Sequence, residues 1–328
     1  MDLERALAPY DFDLPDDRIA RHPLAERDGA RLLVVGPPHA DRAVLDLPAL
    51  LEPGDLLVVN DIRVHRARLR AQRESGGNVE VFLAGGDEAL VRPARRLREG
   101  ERLVCGPGHV VLRERLPDGR WRVACEPDVD TLTAAAGELP LPPYFGRAPT
   151  AEDEERYQTV YARARGDLRG AAAPTAGLHL TPRLFTALAA RGVRHVSLTL
   201  EVGLGTFRPL GAEQLARGAL HPERFDIPAD TWAAIQGARR VIAVGTTVAR
   251  ALESAVGPGT GTTELFIREG YTFGRVHGLL TNFHLPRSSL LMLVCAFGGR
   301  ERVLDAYRHA VSSGYRFYSY GDAMLVTR

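Results

Sequence analysis

The sequence contains no lysine. All 42 of its lysine-or-arginine positions are arginine, which excludes Schiff-base catalysis and a Walker A phosphate loop. Cysteine is almost as scarce: Cys105, Cys125 and Cys295 lie far apart and form no CxxC pair, so neither a disulfide framework nor a structural zinc site is expected. Long apolar runs are missing too. The longest, Leu290 to Phe297, is far short of a bilayer span. The acidic opening MDLERALAPYDFDLP has no apolar signal core, and a cytoplasmic location is the expectation. A formal net charge of +1 gives no global case for nucleic-acid binding.

What is present is an ordinary globular composition, 45% hydrophobic and 25% charged over 328 residues, with length enough for two domains. The arginines gather locally, in RVHRARLRAQR (63–73) and VRPARRLREGER (91–102), stretches that either follow a phosphate backbone or form a solvated strand face. LLVVN (56–60) reads as a buried strand. Brief strand-like segments follow at VEVFLA, ALVRPA, RLVC, HVVLRERL and WRVACE, separated by turn signals such as SGGN and PDGR. Their spacing suits an antiparallel barrel or a small sandwich. Beyond the Pro-rich LPLPPYFGR (139–147), apolar strands at 196–203 and 240–245 alternate with helical stretches, the pattern of an α/β unit. Residues 257–263 read as a Gly/Thr-rich loop.

Several constellations carry polar groups at element ends. In AAAPTAGLHLTP (171–182), small residues precede His179, and Thr181 with Pro182 marks a helix start. A bare backbone lets a ligand or another segment approach closely, and a helix N-terminus beside His179 would keep the imidazole neutral. VGLGTFRP (202–209) follows a strand but lacks the third glycine of a dinucleotide fingerprint. VGTTVARALES (244–254) offers Thr246 and Thr247 at a strand–helix turn. LLTNFHLPRSSLLMLVCAF (279–297) sets Asn282, Phe283 and His284 between apolar runs, where polar groups need partners.

Taken in order, NDIRVHRARL, PLPPYFGR, ERYQTVYA, AAPTAGLHLT, VGLGTFRP, HPERFDIP, VGTTVARALES, GLLTNFHLPRSSLLMLVCAF and YRFYSYGDAML, with the opening DFDLPDDRIARHPLAERDGARLLVV, give a chain that resembles, end to end, the queuosine-pathway S-adenosylmethionine:tRNA ribosyltransferase-isomerases. The resemblance implies a mixed-sheet α/β main domain (1–60 and 152–328) with an inserted antiparallel β-barrel domain (61–151). It implies transfer and isomerisation of the ribosyl part of S-adenosylmethionine onto 7-aminomethyl-7-deazaguanine at the tRNA wobble position. Adenine and methionine are released and epoxyqueuosine forms. S-adenosylmethionine is then a consumed co-substrate, tRNA is the partner, and no cofactor, metal or membrane is called for.

That chemistry needs a base for the ribose 5′ C–H, which the sulfonium acidifies, and a proton for the departing adenine. The catalytic candidates are His179, His284 and Glu201. The matched motifs imply a substrate-binding set of Asn60, Asp61, Arg63, Pro174, Thr175, Gly177, Gly203, Gly205, Thr206, Phe207, Arg208, His221, Glu223, Thr246, Thr247, Asn282, Phe283, Tyr320 and Asp322.

Departures from the family's pattern fall inside these motifs. Glu201 stands where the family has a histidine, and it serves as a base only with a raised pKa. Gly218 and Ala219 replace a histidine and a lysine, Ile62 a threonine, His65 and Arg66 an Ile-Pro pair, and His277 an aspartate. Expected near the site, these exchanges leave open a paralogue with another amine or nucleoside acceptor, or a non-catalytic RNA- or ligand-binding module.

Overall fold

The computed structural model describes residues 3–83, 87–164, 168, 170–203 and 210–328. In chain order the strands are β1 Arg31–Val35, β2 Ala40–Ala43, β3 Asp55–Asn60, β4 Arg68–Arg73, β5 Asn78–Leu83, β6 Glu88–Arg92, β7 Arg102–Cys105, β8 Gly108–Arg115, β9 Trp121–Glu126, β10 Gly137–Glu138, β11 Arg194–Leu200, β12 Ala219–Ile227, β13 Arg240–Val244, β14 Gly259–Leu265, β15 Gly278–Asn282 and β16 Ala323–Thr327. Among the described residues they form a nine-stranded sheet, ordered β14-β12-β11-β3-β13-β15-β16-β1-β2, and a second sheet of β4 to β10.

The centre of the large sheet, β11-β3-β13-β15, is parallel, and β3, β13 and β15 are buried along almost their whole length, as strands covered on both faces are. Alternate residues sort to the two faces. Leu56, Val58, Ala243, Leu279 and Phe283 join a core with the helices Thr246–Ser254, Ser289–Gly298 and Arg300–Ser312. Leu57, Val59, Val244 and Leu280 pack instead with Ala176, Leu180, Leu184 and Leu188. β16 runs antiparallel to β15 and pairs Ala323 with Asn282. The carboxyl ends of β3, β11, β13 and β15 and the amino end of β16 therefore share one edge, where open α/β sheets bind ligands.

The second sheet closes through a β4–β7 pairing into a six-stranded antiparallel barrel, with β10 added beside β4. Leu69, Val81, Val91, Leu103, Val110, Leu112 and Trp121 fill it. The mixed sheet with an inserted barrel is the fold class the sequence implies. One local expectation is overturned: residues 259–263, read as part of a Gly/Thr-rich loop over 257–263, belong to β14 along β12, because cross-strand pairing overrides the weak β propensity of glycine. No helix among the described residues is long and apolar enough to cross a membrane.

Candidate active site

The carboxyl edge is organised by Asn282. Thr175 donates its hydroxyl to Asn282 Oδ1 at 2.8 Å, and Asn282 Nδ2 lies 3.2 Å from His179 Nε2 and 3.5 Å from the Asp322 carbonyl. With Oδ1 committed to Thr175, the amide N–H₂ faces the ring, so His179 Nε2 is the acceptor and the imidazole is neutral. Burial lowers the His179 pKa to about 4; a backbone hydrogen bond with Arg27 opposes the shift, while the charges of Arg316 and Arg27 add to it. The helix Pro182–Ala190 begins just after His179, as expected, with Thr181 capping it through Leu184 N and donating to Asp28; desolvation is the largest cause of the lowered pKa.

The bare stretch before His179 also has a structural cause. Gly177 is buried, and a Cβ there would run into the Tyr161 hydroxyl and press on Thr159. Close approach by another segment of this chain is what the missing side chain permits. Gly177→Ala is expected to destabilise the fold by about 1–3 kcal/mol through overpacking, seen as a lower denaturant midpoint at unchanged slope. Tyr161→Phe in the same chain should restore most of the loss. An alanine variant as stable as the parent would refute the close contact.

His179 lines a small half-open cleft with Leu24, Arg27, Arg156, Ser319 and Tyr320. Its walls are stitched reciprocally: Arg27 donates to the carbonyls of Glu155, Arg156 and Gln158, and Arg156 to those of Leu24 and Ala25. Tyr320 donates to Asp153 at 2.8 Å, and Asp153 pairs with Arg147. Asp322 is buried, with a raised pKa that burial causes, and it accepts from Arg31 N and Arg316 N. Its carboxylate thus ties β1 to the turn before β16. Sequence reasoning did not single out Arg27 and Arg156, although both sit in the quoted stretches ERDGARLLVV and ERYQTVYA.

A second group lies at the ends of β3, β11 and β12. Asn60 holds Leu200 N and O and Ile62 N with its amide, and Asp61 accepts from Thr199 at 2.6 Å. Glu201 accepts from Arg224 Nε at 2.8 Å. Glu201 is a candidate base by its place in the sequence, and the fold ion-pairs it with Arg224. Glu223 is buried against Arg250 and accepts from Gly203 N at 3.4 Å, and His221 is half-buried on β12. Thr246 is buried and Thr247 half-buried at the start of the helix after β13, Pro174 is buried, and Arg63 is exposed on the way to the barrel. Gly205, Thr206, Phe207 and Arg208 lie outside the described residues.

Two expectations fail on geometry. Phe283 is fully buried in an aromatic core, with ring centroids 5.3 Å from Tyr307 and 4.9 Å from Phe317, and does not reach the cleft. His284 does not join His179. Its Nε2 lies 2.9 Å from Thr281 Oγ1 and its backbone N donates to Tyr307, on the sheet face opposite to that of Asn282.

Burial lowers the His284 pKa to about 4 as well. As pH falls from about 6.5 towards 4, the unfolded chain takes up protons that both folded rings refuse. Stability should therefore drop by up to about 1.4 kcal/mol per pH unit for each ring. His284→Gln is expected to flatten that part of the stability–pH curve; an unchanged slope would mean that the folded ring accepts a proton.

The departures are mostly remote or structural. Ile62 is buried in the main core. Gly218 ends the helix Ala212–Arg217 at φ 66°, a left-handed position suited to glycine. His277 precedes β15 at the opposite edge of the sheet, where its Nδ1 accepts from Val241 N. Arg66 pairs with Glu154, and His65 donates its backbone N to Gly170. Glu201, just after β11, and Ile62, held through its N by Asn60 at the end of β3, both fall at the carboxyl edge itself.

The chain matches the family model described as "Queuosine biosynthesis protein" over residues 7–326. It is 48% identical to the S-adenosylmethionine:tRNA ribosyltransferase-isomerase of Anaeromyxobacter dehalogenans (strain 2CP-C), covering 98% of this chain and 99% of the relative. The protein of the same name from Aromatoleum aromaticum is 49% identical, with 99% and 98% covered. Among solved structures, the S-adenosylmethionine tRNA ribosyltransferase of Thermotoga maritima is similar with a TM-score of 0.56 and 33% identity, over 97% of this chain and 99% of that one. With fold, motif order and full-length identity in agreement, the chain belongs to the queuosine biosynthesis protein family.

Proposed function

We propose that this protein is an S-adenosylmethionine-dependent ribosyltransferase-isomerase acting on tRNA, with 7-aminomethyl-7-deazaguanine at the wobble position as acceptor. The observation that carries the reading is identity of nearly half the residues, over essentially the whole length, with relatives named for that activity. In the reaction the acceptor amine bonds to the ribosyl carbon frame. The sulfonium C–S bond and the C–N bond to adenine break, methionine and adenine leave, and epoxyqueuosine remains in the tRNA.

The neutral His179 is assigned to take the proton from the ribose 5′ carbon; Nε2 accepts from Asn282 Nδ2 in the free protein, and that contact must open for the nitrogen to receive the proton. Thr175 and Asn282 hold its tautomer and orientation. Arg27 and Arg156 fix the walls of the cleft. The chemistry belongs to the unit of residues 1–60 and 152–328, with 61–151 as the inserted barrel. A tRNA substrate implies a cytoplasmic location, and S-adenosylmethionine is consumed with no further cofactor. The acceptor-switched paralogue and the non-catalytic module are not favoured: full-length relatives carry the ribosyltransferase-isomerase name, and of the exchanges that motivated them Ile62, Gly218 and His277 serve the fold while Glu201 is ion-paired with Arg224.

The test incubates the protein with S-adenosylmethionine and tRNA carrying the deazaguanine. Adenine and methionine should appear only when that tRNA is present. Equal consumption of the donor without tRNA would overturn the acceptor assignment.

A further inference from the structure

The barrel is attached beside the cleft. β3 ends at Asn60 on the carboxyl edge and β4 begins at Arg68. After β10 the returning chain buries Leu139, Leu141 and Phe145 in one cluster with Leu178 and Tyr320. From this base β4, β6 and β8 run to the distal mouth, roughly 20 Å away at about 3.3 Å per residue. The loop from β6 to β7 crosses that mouth: Gly100 N donates to Leu112 O, Leu112 N to Glu101 O, and Leu97 packs into the barrel core.

The charge on this loop is sorted. Residues 92–102 hold five arginines and two glutamates. Both glutamates are turned to internal bracing: Glu101 pairs with Arg73 and accepts from Arg98 N, and Glu99 accepts from Arg115 N. Arg73 also holds the Arg96 carbonyl. The side chains of Arg95, Arg96 and Arg98 are exposed, as are those of Arg113 and Arg115 on the adjoining β8. Elsewhere on the barrel, Arg68, Arg70, Arg120 and Arg122 are all ion-paired. The whole chain is nearly neutral, so a polyanion is drawn by local segregation of charge.

We propose that this distal arginine cluster, built on Arg95, Arg96 and Arg98 with Arg113 and Arg115, is a phosphate-backbone contact for the RNA whose modified base occupies the cleft. The inference rests on the proposed function and adds where the RNA body is held. Guanidinium groups at this distance from the reacting base position the substrate without reading its sequence. An acidic protein surface is the competing occupant.

The experiment uses the full chain and acceptor tRNA in a salt series. Arg95→Glu/Arg96→Glu/Arg98→Glu should weaken tRNA binding about tenfold or more and lower the slope of log K against log salt by about 2–3. S-adenosylmethionine binding and the circular dichroism spectrum should be unchanged. Arg191→Glu/Arg194→Glu, exposed near the start of β11 at the opposite edge, controls for net charge and should have little effect. Arg113→Glu/Arg115→Glu reports on the same surface from a rigid strand. Affinity and slope unaltered in both barrel variants, or lost equally in the control, would overturn the surface. A parent protein that binds no tRNA would overturn the proposed function with it.

Discussion

His179→Ala is expected to lower turnover by about two to four orders of magnitude, the range associated with loss of a general base, while S-adenosylmethionine binding and folding persist. The ring is neutral, its acceptor nitrogen is held by Asn282, and it faces the cleft. Single-turnover release of adenine measures the effect. A pH–rate profile separates a base from a packing residue: the parent should lose activity as acid protonates the imidazole, and the variant should have a flat residual rate in that range. Asn282→Ala should act through the ring, lowering kcat with a smaller change in KM, because it removes the group that orients His179. Near-normal turnover from a folded His179 variant would take the ring out of the mechanism.

The periodic parts of the molecule were legible in the residues. RLVC and WRVACE are strands over the same residues in the structure, and Thr181 with Pro182 does start a helix that ends at Ala190. Local pattern suffices where alternation or capping decides the outcome. It does not show which face of a strand a side chain takes, so Asn282, Phe283 and His284 looked like one group. Asn282, the last residue of β15, goes to His179 and Phe283 into the aromatic core, while the chain beyond the strand end brings His284 back to Thr281. Distance along the chain misled at His277, two residues from Leu279 in a strand but a full strand length from the cleft. Arg27 and Arg156 were hidden for another reason. Their partners are backbone carbonyls about 130 residues away, and no sequence spacing encodes such a contact.

The largest effect on stability is expected at Arg250, inside the helix Thr246–Ser254. Arg250 and Glu223 are 5% and 6% exposed and pair with one another between that helix and β12. Burial pulls the Arg250 pKa down to about 10, which leaves the guanidinium charged at neutral pH and dependent on its partner. Removing one member of a buried pair strands the other charge in a poorly solvating interior, at about 3–5 kcal/mol. That is a large fraction of the ~5–15 kcal/mol that holds most domains folded. Arg250→Ala should therefore shift the denaturation midpoint sharply. Arg250→Met combined with Glu223→Gln removes both charges and should be less destabilised than Arg250→Ala alone. Strict additivity of the single changes would show instead that Glu223 is balanced by other groups. Because Glu223 also accepts from Gly203 N, the charge-free double variant isolates a second consequence. Stability should return in part, whereas S-adenosylmethionine affinity should stay reduced if Glu223 fixes the backbone where the VGLGTF stretch leaves β11.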